Sequence, residues 1–450
     1  MNPHIFRQYD VRGLVDEDLT EEVVTNLGRA YGTFLQRLGL KNVVLGRDVR
    51  LSSTRLRDDL MEGILSTGCT VIDIGVVPTP VLYFSIVHLE KDGGVMITGS
   101  HNPIEYNGFK MCRGVLSIYG DDIQQLRGII ESGRFTSGKG QQDVYDIVPE
   151  YIRNIEGKIK IERPIKMVID AGNGTAGEIA PRIFEDLGCH VVKLYCEPDG
   201  RFPNHLPDPT VPEYLKDLIS KVHQEEADIG IGYDGDADRL GAVDEKGEIV
   251  WGDKLLALYA RDILRNEKGS KIVFDVKCSQ GLVDDITANG GVPVMWKTGH
   301  SLLKAKMKEE GAPVGGEMSG HMFFGDNYGY DDAIYASARL VRILSESNRP
   351  FSVMTADIPR YYSTPEIRVE CSEDKKFEIV DDVKNYFKKT YETIDIDGVR
   401  ILFKDGWGLV RASNTQPILV MRCEAGTEER LLEIEKIIID KLREYPSVKV

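Results

Sequence analysis

This chain contains little cysteine and no long apolar run. Its seven cysteines are odd in number and none forms a Cys-x-x-Cys pair, so neither a disulfide framework nor a zinc site is indicated. No stretch of about 18 apolar residues occurs, so no membrane-spanning helix is predicted. The first residues lack the apolar core of a signal peptide. We therefore expect a cytoplasmic protein that has no membrane partner.

Positive charge is also in deficit. A formal net charge of −16 disfavours non-specific binding to nucleic acid, and we expect no such partner. A chain this acidic can bind phosphate only where local basic side chains and backbone N–H groups reverse the field. If the substrate is anionic, basic residues should therefore be concentrated in a few loops.

The length of the chain indicates several domains. With 450 residues it is too long for one core, and ordinary domain sizes suggest about three. The order strand, loop, helix, glycine, strand and a further strand that delivers a polar loop occurs three times. The copies begin near Asn42, Met167 and Lys271, at spacings of about 105 to 125 residues. Coincidental similarity is the alternative, because βαβ units are common. The matched placement of the polar loops favours three related α/β domains.

From residue 361 onward, short strands and charged helices predict a smaller α+β domain. A strand is also predicted over Ile5 to Gly13; it could direct Tyr9 and Arg12 to a site, although a solvated edge strand would look the same. The predicted domains are 1–145, 146–247, 248–360 and 361–450.

The segment Thr98-Gly-Ser-His-Asn-Pro103 follows a short apolar strand. Glycine relieves the steric limit on the backbone, and proline fixes the exit from the turn. Ser100, at the carboxyl end of this strand, is a candidate nucleophile, although a serine in such a turn more often only caps it. Lys110 follows a short loop later.

Asp234, Asp236 and Asp238 alternate with small residues at the end of a predicted strand. Alternate side chains of a strand project to one face, where three carboxylates repel one another unless a cation lies between them. Oxygen ligands favour Mg²⁺ over zinc. An EF-hand is rejected because Arg239 stands where its turn needs glycine, whereas a solvated acidic turn stays open. Arg239 itself suggests an anion bound beside the metal.

Two further loops carry polar side chains. Glu317, Ser319 and His321 follow two glycines and suit a ligand rich in hydroxyl groups, although a satisfied turn would look the same. His300 belongs to a basic pair at a strand end that could transfer a proton or lie exposed. A set of donors before Pro417 forms a phosphate cradle or a polar hairpin loop: Arg411, Ser413, Asn414 and Thr415.

Together the loops provide a nucleophile, a hard-metal site, a sugar site and a phosphate site, one per domain, that could meet in a central cleft. Phosphoryl transfer to and from a phosphorylated sugar uses all four. The sequence resembles the α-D-phosphohexomutase superfamily and, within it, the phosphomannomutase/phosphoglucomutase branch. The motifs that carry the resemblance occur in the family's order: Thr98–Pro103, Asp234–Arg239, Gly316–His321 and Arg411–Pro417.

The resemblance implies four domains around a central cleft, three of them similar mixed α/β domains and the last a smaller α+β domain. It implies that Ser100 carries a phosphoryl group and holds Mg²⁺ together with Asp234, Asp236 and Asp238. The basic and proton-transfer residues that it implies are Arg12, His101, Lys110, Arg239 and His300. The residues that it implies for substrate binding are Tyr9, Lys277, Gly299, Glu317, Ser319, His321, Arg411, Ser413, Asn414 and Thr415.

The implied reaction interconverts hexose 1-phosphate and hexose 6-phosphate through a phosphoserine and a bisphosphorylated sugar, with hexose 1,6-bisphosphate as activator. Mannose and glucose are favoured because Met318 and the Ser-Asn-Thr loop resemble hexose-phosphate mutases; a phosphoglucosamine mutase is the alternative. Rival interpretations are a metal-dependent sugar phosphatase and a sugar-phosphate sensor without turnover. Ala237 replaces the glycine of many relatives, which should be tolerated if its φ is negative. The oligomeric state is left open.

Overall fold

Four successive segments of the chain carry their own sheets in the computed structural model, which describes residues 1–413 and 417–449. The first segment begins with a 3₁₀ helix (Pro3–Ile5) and continues with β1 (Val11–Leu14), α1 (Glu21–Arg37), β2 (Asn42–Arg47), α2 (Ser53–Ser66), β3 (Thr70–Val76), α3 (Thr79–His88), β4 (Gly93–Ile97), β5 (Tyr106–Arg113), β6 (Leu116–Ser117), α4 (Asp121–Ser132) and β7 (Gln142–Val144).

The second segment contains α5 (Val148–Glu156), β8 (Lys166–Asp170), α6 (Ala180–Asp186), β9 (His190–Leu194), α7 (Lys216–Glu225), β10 (Ile229–Tyr233), β11 (Leu240–Asp244) and β12 (Ile249–Val250). The third contains α8 (Gly252–Leu264), β13 (Lys271–Asp275), α9 (Gln280–Ala288), β14 (Val292–Trp296), α10 (His300–Glu310), β15 (Val314–Gly316), β16 (Met322–Phe324), α11 (Ala333–Ser345) and α12 (Phe351–Met354).

The fourth segment contains β17 (Tyr362–Ser363), β18 (Ile367–Cys371), α13 (Lys376–Phe387), β19 (Glu392–Ile394), β20 (Val399–Phe403), β21 (Gly406–Ala412), β22 (Ile418–Ala425), α14 (Glu428–Leu442) and β23 (Val448–Lys449). Its strands form one antiparallel sheet, and residues of α13 and α14 share an apolar core with it. The predicted smaller α+β domain is confirmed. None of the helices in the described ranges is long and apolar enough to cross a membrane.

One arrangement of three parallel strands occurs in each of the first three segments. The first strand of each set lies in the middle: β2 between β3 and β4, β8 between β9 and β10, and β13 between β14 and β15. The sheets are mixed, because β5 and β11 add antiparallel neighbours to β4 and β10. In every copy, the third strand leads directly into a loop of candidate site residues. The predicted threefold repeat is therefore confirmed.

The packing of α1 against α2 shows how local sequence shapes the first domain. Glu21 and Glu22 occupy the first turn of α1, where acidic side chains are favourable. A Cβ at Gly28 would lie 2.2 Å from the Leu60 carbonyl oxygen, so the close approach of the two helices requires glycine. Apolar residues at helical spacing then face the core, among them Val24 and Leu27.

The predicted strand from Ile5 to Gly13 is wrong in its first half. The 3₁₀ helix ends at Ile5, Phe6 forms an antiparallel bridge with Val11, and the Arg7 N–H donates to the Asp10 carbonyl at 3.0 Å, so the chain reverses between them. Pairing with β5 begins only at Val11. A tight turn therefore occupies the part of the sequence in which the alternating pattern predicts a strand.

The described chain divides into two compact units. The first comprises residues 1–259 and 319–356, and the second comprises 260–318 and 357–450. Ser100 and the three aspartates lie in the first unit, whereas Lys277 and Arg411 lie in the second. The candidate residues therefore form two groups.

Candidate active site

Ser100 lies buried at the tip of the turn that follows β4. Ser100 Oγ donates a hydrogen bond to Asp234 Oδ2 at 2.8 Å, and His101 Nδ1 lies 3.1 Å from Ser100 Oγ. Its N–H donates to Thr98 Oγ1 at 2.8 Å. The residue is only 3% exposed, so its hydroxyl is fixed inside the domain and next to a carboxylate.

The special backbone conformation of this turn belongs to the serine and not to the glycine before it. Ser100 has φ of +47°, in the left-handed region that side chains rarely adopt. Gly99 is needed for a different reason, because a Cβ there would lie 2.4 Å from the Arg50 guanidinium carbon. The expectation that Gly99 relieves the backbone of the turn is therefore wrong. Gly99 instead permits the Arg50 side chain to approach the turn closely.

The three aspartates converge in a turn after β10, and not through the alternation of an extended strand as predicted. Asp234 Oδ1 accepts the N–H groups of Asp238 and Arg239 at 3.0 and 3.1 Å, which closes the turn. Ala237 has φ of +57°, so the condition set for tolerating alanine there, a negative φ, is not met. Its small side chain is fully buried, and its carbonyl accepts the N–H of Ala333 at 3.2 Å. Contacts of the folded chain thus hold a conformation that the local sequence disfavours.

Each of the three aspartates is fully buried, which rules out the solvated acidic turn. Burial and the nearby Asp238 and Asp236 raise the pKa of Asp234 well above its ordinary value. Lys110, on β5, donates to Asp236 Oδ2 at 2.6 Å and also contacts Asp238. Although burial opposes its charge, the three carboxylates raise the pKa of Lys110 above its ordinary value. A buried cation of the chain therefore offsets part of the carboxylate repulsion.

The donor set fits a hard divalent cation. Oxygen atoms of Asp234, Asp236 and Asp238 lie within 4.8 Å of one another. In the described residues 1–413 and 417–449, no hydrogen-bond donor reaches the buried Asp236 Oδ1 or Asp238 Oδ1. Buried carboxylate oxygens without donors are costly, and a metal ion would satisfy them.

His101 is held neutral beside the serine. Burial, and then the positive charge of Arg239 and Arg12, lower the pKa of His101 well below its ordinary value. Arg12, on β1, also forms an ion pair with Asp10 at 2.5 Å. Tyr9 precedes this strand and is half-buried.

Arg239 and His321 are linked side chain to side chain. Arg239 Nε donates to His321 Nε2 at 3.1 Å, and His321 Nδ1 lies 3.2 Å from Asp331 Oδ2. Since Nε2 accepts, Nδ1 carries the proton and faces the carboxylate. Ser319 lies two residues before His321 and is half-buried. Of these residues, sequence reasoning missed Asp331, which no motif marks.

The second unit holds the other candidate residues. Glu317 directly follows β15, is 3% exposed and accepts the Gly299 N–H through Oε1 at 2.5 Å. Gly299 has φ of +133°, a conformation that requires glycine. His300 begins α10 and is half-buried. Asp275, at the end of β13, accepts the Met318 N–H at 3.0 Å and so fixes the loop beyond Glu317.

Two cations of this unit are paired with carboxylates. Lys277 Nζ lies 3.3 Å from Glu366 Oε2, and Arg411 Nε donates to Asp397 Oδ2 at 2.8 Å. The charge of Lys277 lowers the pKa of Glu366 to about 2. Arg411 and Ser413 are 6% and 7% exposed. The other predicted phosphate-loop residues, Asn414 and Thr415, lie outside the described residues.

The loop that carries Lys277 is fixed by two arginines from the C-terminal domain. Arg400 donates to the carbonyls of Val276 and Cys278 at 2.8 and 2.9 Å. Arg422 donates to the carbonyl of Lys277 itself at 2.6 Å. Neither arginine was predicted, because the contact joins residues that are distant in sequence. Together they hold the backbone from which the Lys277 side chain extends.

Four family models match consecutive parts of the chain. They describe phosphoglucomutase/phosphomannomutase alpha/beta/alpha domain I (residues 3–137), domain II (149–247), domain III (251–362) and the C-terminal domain (366–441). A threefold α/β repeat with a buried serine–aspartate centre and a different last domain defines an α-D-phosphohexomutase, which is an isomerase.

Individual relatives narrow this class. A phosphomannomutase/phosphoglucomutase of Pseudomonas aeruginosa is 48% identical over 445 residues, covering 98% of this chain and 96% of the relative. A phosphoglucomutase of Neisseria meningitidis is 44% identical over 437 residues, covering 96% and 95%. The crystal structure of a phosphoglucomutase/phosphomannomutase family protein from Burkholderia thailandensis matches with a TM-score of 0.93 and 42% identity, covering 98% of both chains. The chain belongs to the phosphoglucomutase/phosphomannomutase family.

Proposed function

We propose that this enzyme interconverts the 1-phosphates and 6-phosphates of mannose, glucose or both by carrying a phosphoryl group on Ser100. The observation that carries the proposal is the placement of Ser100 Oγ, 2.8 Å from the first of three buried aspartates. A structural serine in a turn has no need of such a centre. The names of the relatives, which cover nearly the whole chain, support the same two sugars.

The reaction consists of two balanced transfers. In the first, a hydroxyl oxygen of the hexose monophosphate forms a bond to the phosphorus of phosphoserine while the Oγ–P bond breaks. The hydroxyl loses its proton, Ser100 Oγ gains one, and the sugar becomes a 1,6-bisphosphate. In the second, the same changes run in reverse at the other phosphate, so that phosphoserine is restored and the isomeric monophosphate leaves.

Two groups are placed to handle the proton of Ser100. Asp234 Oδ2 and His101 Nδ1 lie 2.8 and 3.1 Å from its oxygen. Arg239 adds a positive charge near Ser100 and His101, and His321 orients the Arg239 guanidinium. We assign these side chains to proton transfer and to binding of the transferring group.

Asp234, Asp236 and Asp238, with an oxygen of the phosphorylated serine, would hold Mg²⁺. When bound, the ion neutralises negative charge on the transferring phosphoryl group. Lys110 already contacts two of these carboxylates, so it limits their repulsion and orients them. Hexose 1,6-bisphosphate serves as activator because it can phosphorylate an unmodified Ser100.

In the second unit, we assign Lys277 and Arg411 to the phosphate that is not transferred and Glu317 to sugar hydroxyls. Both cations have carboxylate partners, and a phosphate can bind beside a partner or take its place. Glu317 is buried and oriented by the Gly299 N–H, which fixes the direction in which it can accept from a hydroxyl. Contributions of Tyr9, Ser319 and His300 to the active site stay predictions. The cytoplasmic location also stays a prediction.

A coupled assay tests the proposal. Mannose, glucose and glucosamine 1-phosphates are supplied separately with Mg²⁺ and glucose 1,6-bisphosphate, and the 6-phosphate, free sugar and inorganic phosphate are measured. We expect 6-phosphates from mannose, glucose or both. Preference for glucosamine phosphate would favour a phosphoglucosamine mutase, and release of free sugar and phosphate would show a phosphatase. Binding without turnover would show a sensor.

A further inference from the structure

Arg50 lies buried beneath the serine turn and bonds to its backbone. The residue follows β2, and its side chain is 1% exposed. Its two terminal nitrogens donate to four backbone carbonyls at 2.5 to 3.0 Å, those of Ser100, Asn102, Pro103 and Tyr106. Lysine could not make this set of bonds, because only the planar guanidinium fork offers several donors in fixed directions.

Asp48 completes the arrangement. Its carboxylate lies 3.3 Å from Arg50 Nε and accepts the Gly99 N–H at 3.0 Å. It also accepts the Arg50 N–H at 2.9 Å and contacts the Ser53 hydroxyl. One carboxylate thus offsets the buried charge of Arg50 and fixes the entry to the turn, while Arg50 fixes its exit.

The turn requires such support, because Ser100 has φ of +47°. A left-handed conformation at a residue with a side chain is strained and persists where surrounding contacts enforce it. Arg50 bonds to the carbonyl of Ser100 itself and to carbonyls farther along the turn. These bonds hold the chain in the one conformation that directs the hydroxyl to Asp234.

The second domain supports Arg50 from the other side. The Phe202 ring centroid lies 5.2 Å from the guanidinium carbon, within cation–π distance. A Cβ at Gly200 would lie 2.3 Å from the Val49 carbonyl oxygen, so the two segments are in close contact. Arg50 is therefore held by the domain that also carries the aspartates.

We propose that Arg50 is a positioning residue for phosphoryl transfer: it holds Ser100 Oγ in register with the aspartate centre without contacting the reacting atoms. The inference rests on the proposed function, in which Ser100 receives and donates the phosphoryl group. A residue that only stabilised the fold would affect the amount of folded protein and leave the transfer rate of the folded fraction unchanged.

The test measures the rate at which Ser100 of dephosphorylated enzyme becomes phosphorylated by glucose 1,6-bisphosphate with Mg²⁺, followed by intact mass and peptide mapping. For Arg50→Ala we expect transfer to slow by about 10²-fold, the effect of a small misplacement of a reacting group. Added guanidinium chloride, below denaturing concentrations, should restore part of the rate. The Kd for glucose 1-phosphate should stay near the wild-type value, because Arg50 holds the serine and not the sugar.

Arg57→Ala is the matched control, since Arg57 lies on α2 of the same domain and pairs with Asp73 at 2.8 Å. It should transfer at the wild-type rate and show no response to guanidinium. A wild-type rate in folded Arg50→Ala would overturn the inference. If that variant does not fold, Arg50→Lys replaces it: slower transfer supports the inference, and an unchanged rate contradicts it. Wild-type enzyme that gains no phosphate on Ser100 would overturn the proposed function itself.

Discussion

The two compact units arrange their charged side chains in opposite ways. In the first unit, three carboxylates share one fully buried centre, and Lys110 contacts two of them. In the second, Lys277 and Arg411 each have a carboxylate partner of their own. The carboxylates differ in exposure as well: the side chains of Glu366 and Asp397 are 33% and 15% exposed, whereas the three aspartates are 0% exposed.

This difference matches two different tasks. A centre that excludes water and concentrates negative charge will bind a cation strongly and keep it in one place. A cation that has one carboxylate partner can exchange it for an incoming phosphate, because both anions accept from the same donors. The first arrangement suits the chemistry of transfer, and the second suits repeated binding and release of a sugar phosphate.

The largest expected effect is that of Ser100→Ala in the first unit. The kcat of this variant should fall by about 10⁴-fold or more, because the acceptor of the phosphoryl group is removed. The assay is mutase turnover in the presence of glucose 1,6-bisphosphate. Unimpaired turnover under these conditions would refute the mechanism.

Removal of Mg²⁺ should also abolish turnover, and Mg²⁺ should restore it. An independent measurement is the Tm, which Mg²⁺ should raise in the wild type, since a ligand at about 100 times its Kd adds about 2.7 kcal/mol of stability. Asp238→Asn should lose this rise, whereas Asp381→Asn, at an exposed position of the C-terminal domain, should keep it. Full activity in excess chelator would contradict the role of the aspartates.

In the second unit, Arg411→Ala should act on binding. We expect KM for the sugar phosphate to rise by about 10- to 100-fold with a smaller change in kcat, since a hydrogen bond to a charged group contributes about 1.5–3 kcal/mol. Arg430→Ala, which removes an ion pair with Asp405 in the same domain, is the control and should leave KM unchanged. An unchanged KM in Arg411→Ala would argue against the phosphate assignment.

Two lysine substitutions compare the units directly. Lys110→Met should lower the free energy of unfolding by about 3–5 kcal/mol in chelator, because it leaves buried carboxylates without a counter-charge. Lys277→Met should lower it by only about 1 kcal/mol, since its partner is solvated. Denaturant titrations measure both, and Mg²⁺ should return part of the loss to Lys110→Met alone. Equal losses would remove the distinction between the units.

The smallest effect is one of pH. Lys277 lowers the pKa of Glu366 to about 2, from an ordinary value of 4.5, so the charged form is favoured in the folded state. Its contribution to stability is therefore present above pH 4.5 and is lost as the pH falls towards 2. Glu366→Gln should show a weaker loss of stability over this range than the wild type. Lys277→Met should show the same flattening, and a full acid dependence in both variants would contradict the pairing.

The repeat and the position of each functional loop could be predicted because they depend on local patterns. Three sets of apolar strands, each with a polar loop after its third strand, are visible in the sequence, and the folded chain keeps that order. Ser100 and the three aspartates belong to these loops. Motifs of this kind predict the type of site wherever the strand before them can be recognised in the sequence.

The conformation inside the loops could not be predicted in the same way. Ala237 and Ser100 have positive φ, although neither is glycine, because contacts with Ala333 and Arg50 hold their turns. Asp331 and Asp397 were missed for a related reason. Each meets its partner, His321 or Arg411, across a stretch of chain that no local pattern spans.

The most direct test of the central claim is a single turnover of enzyme labelled at Ser100. Enzyme carrying one isotopically labelled phosphoryl group is mixed with unlabelled glucose 1-phosphate and Mg²⁺, quenched at short times, and examined by peptide mapping and by mass analysis of the sugars. We expect label to leave Ser100 and to appear first in glucose 1,6-bisphosphate and then in glucose 6-phosphate. Accumulation of unlabelled glucose 6-phosphate while the label stays on Ser100 would contradict the account.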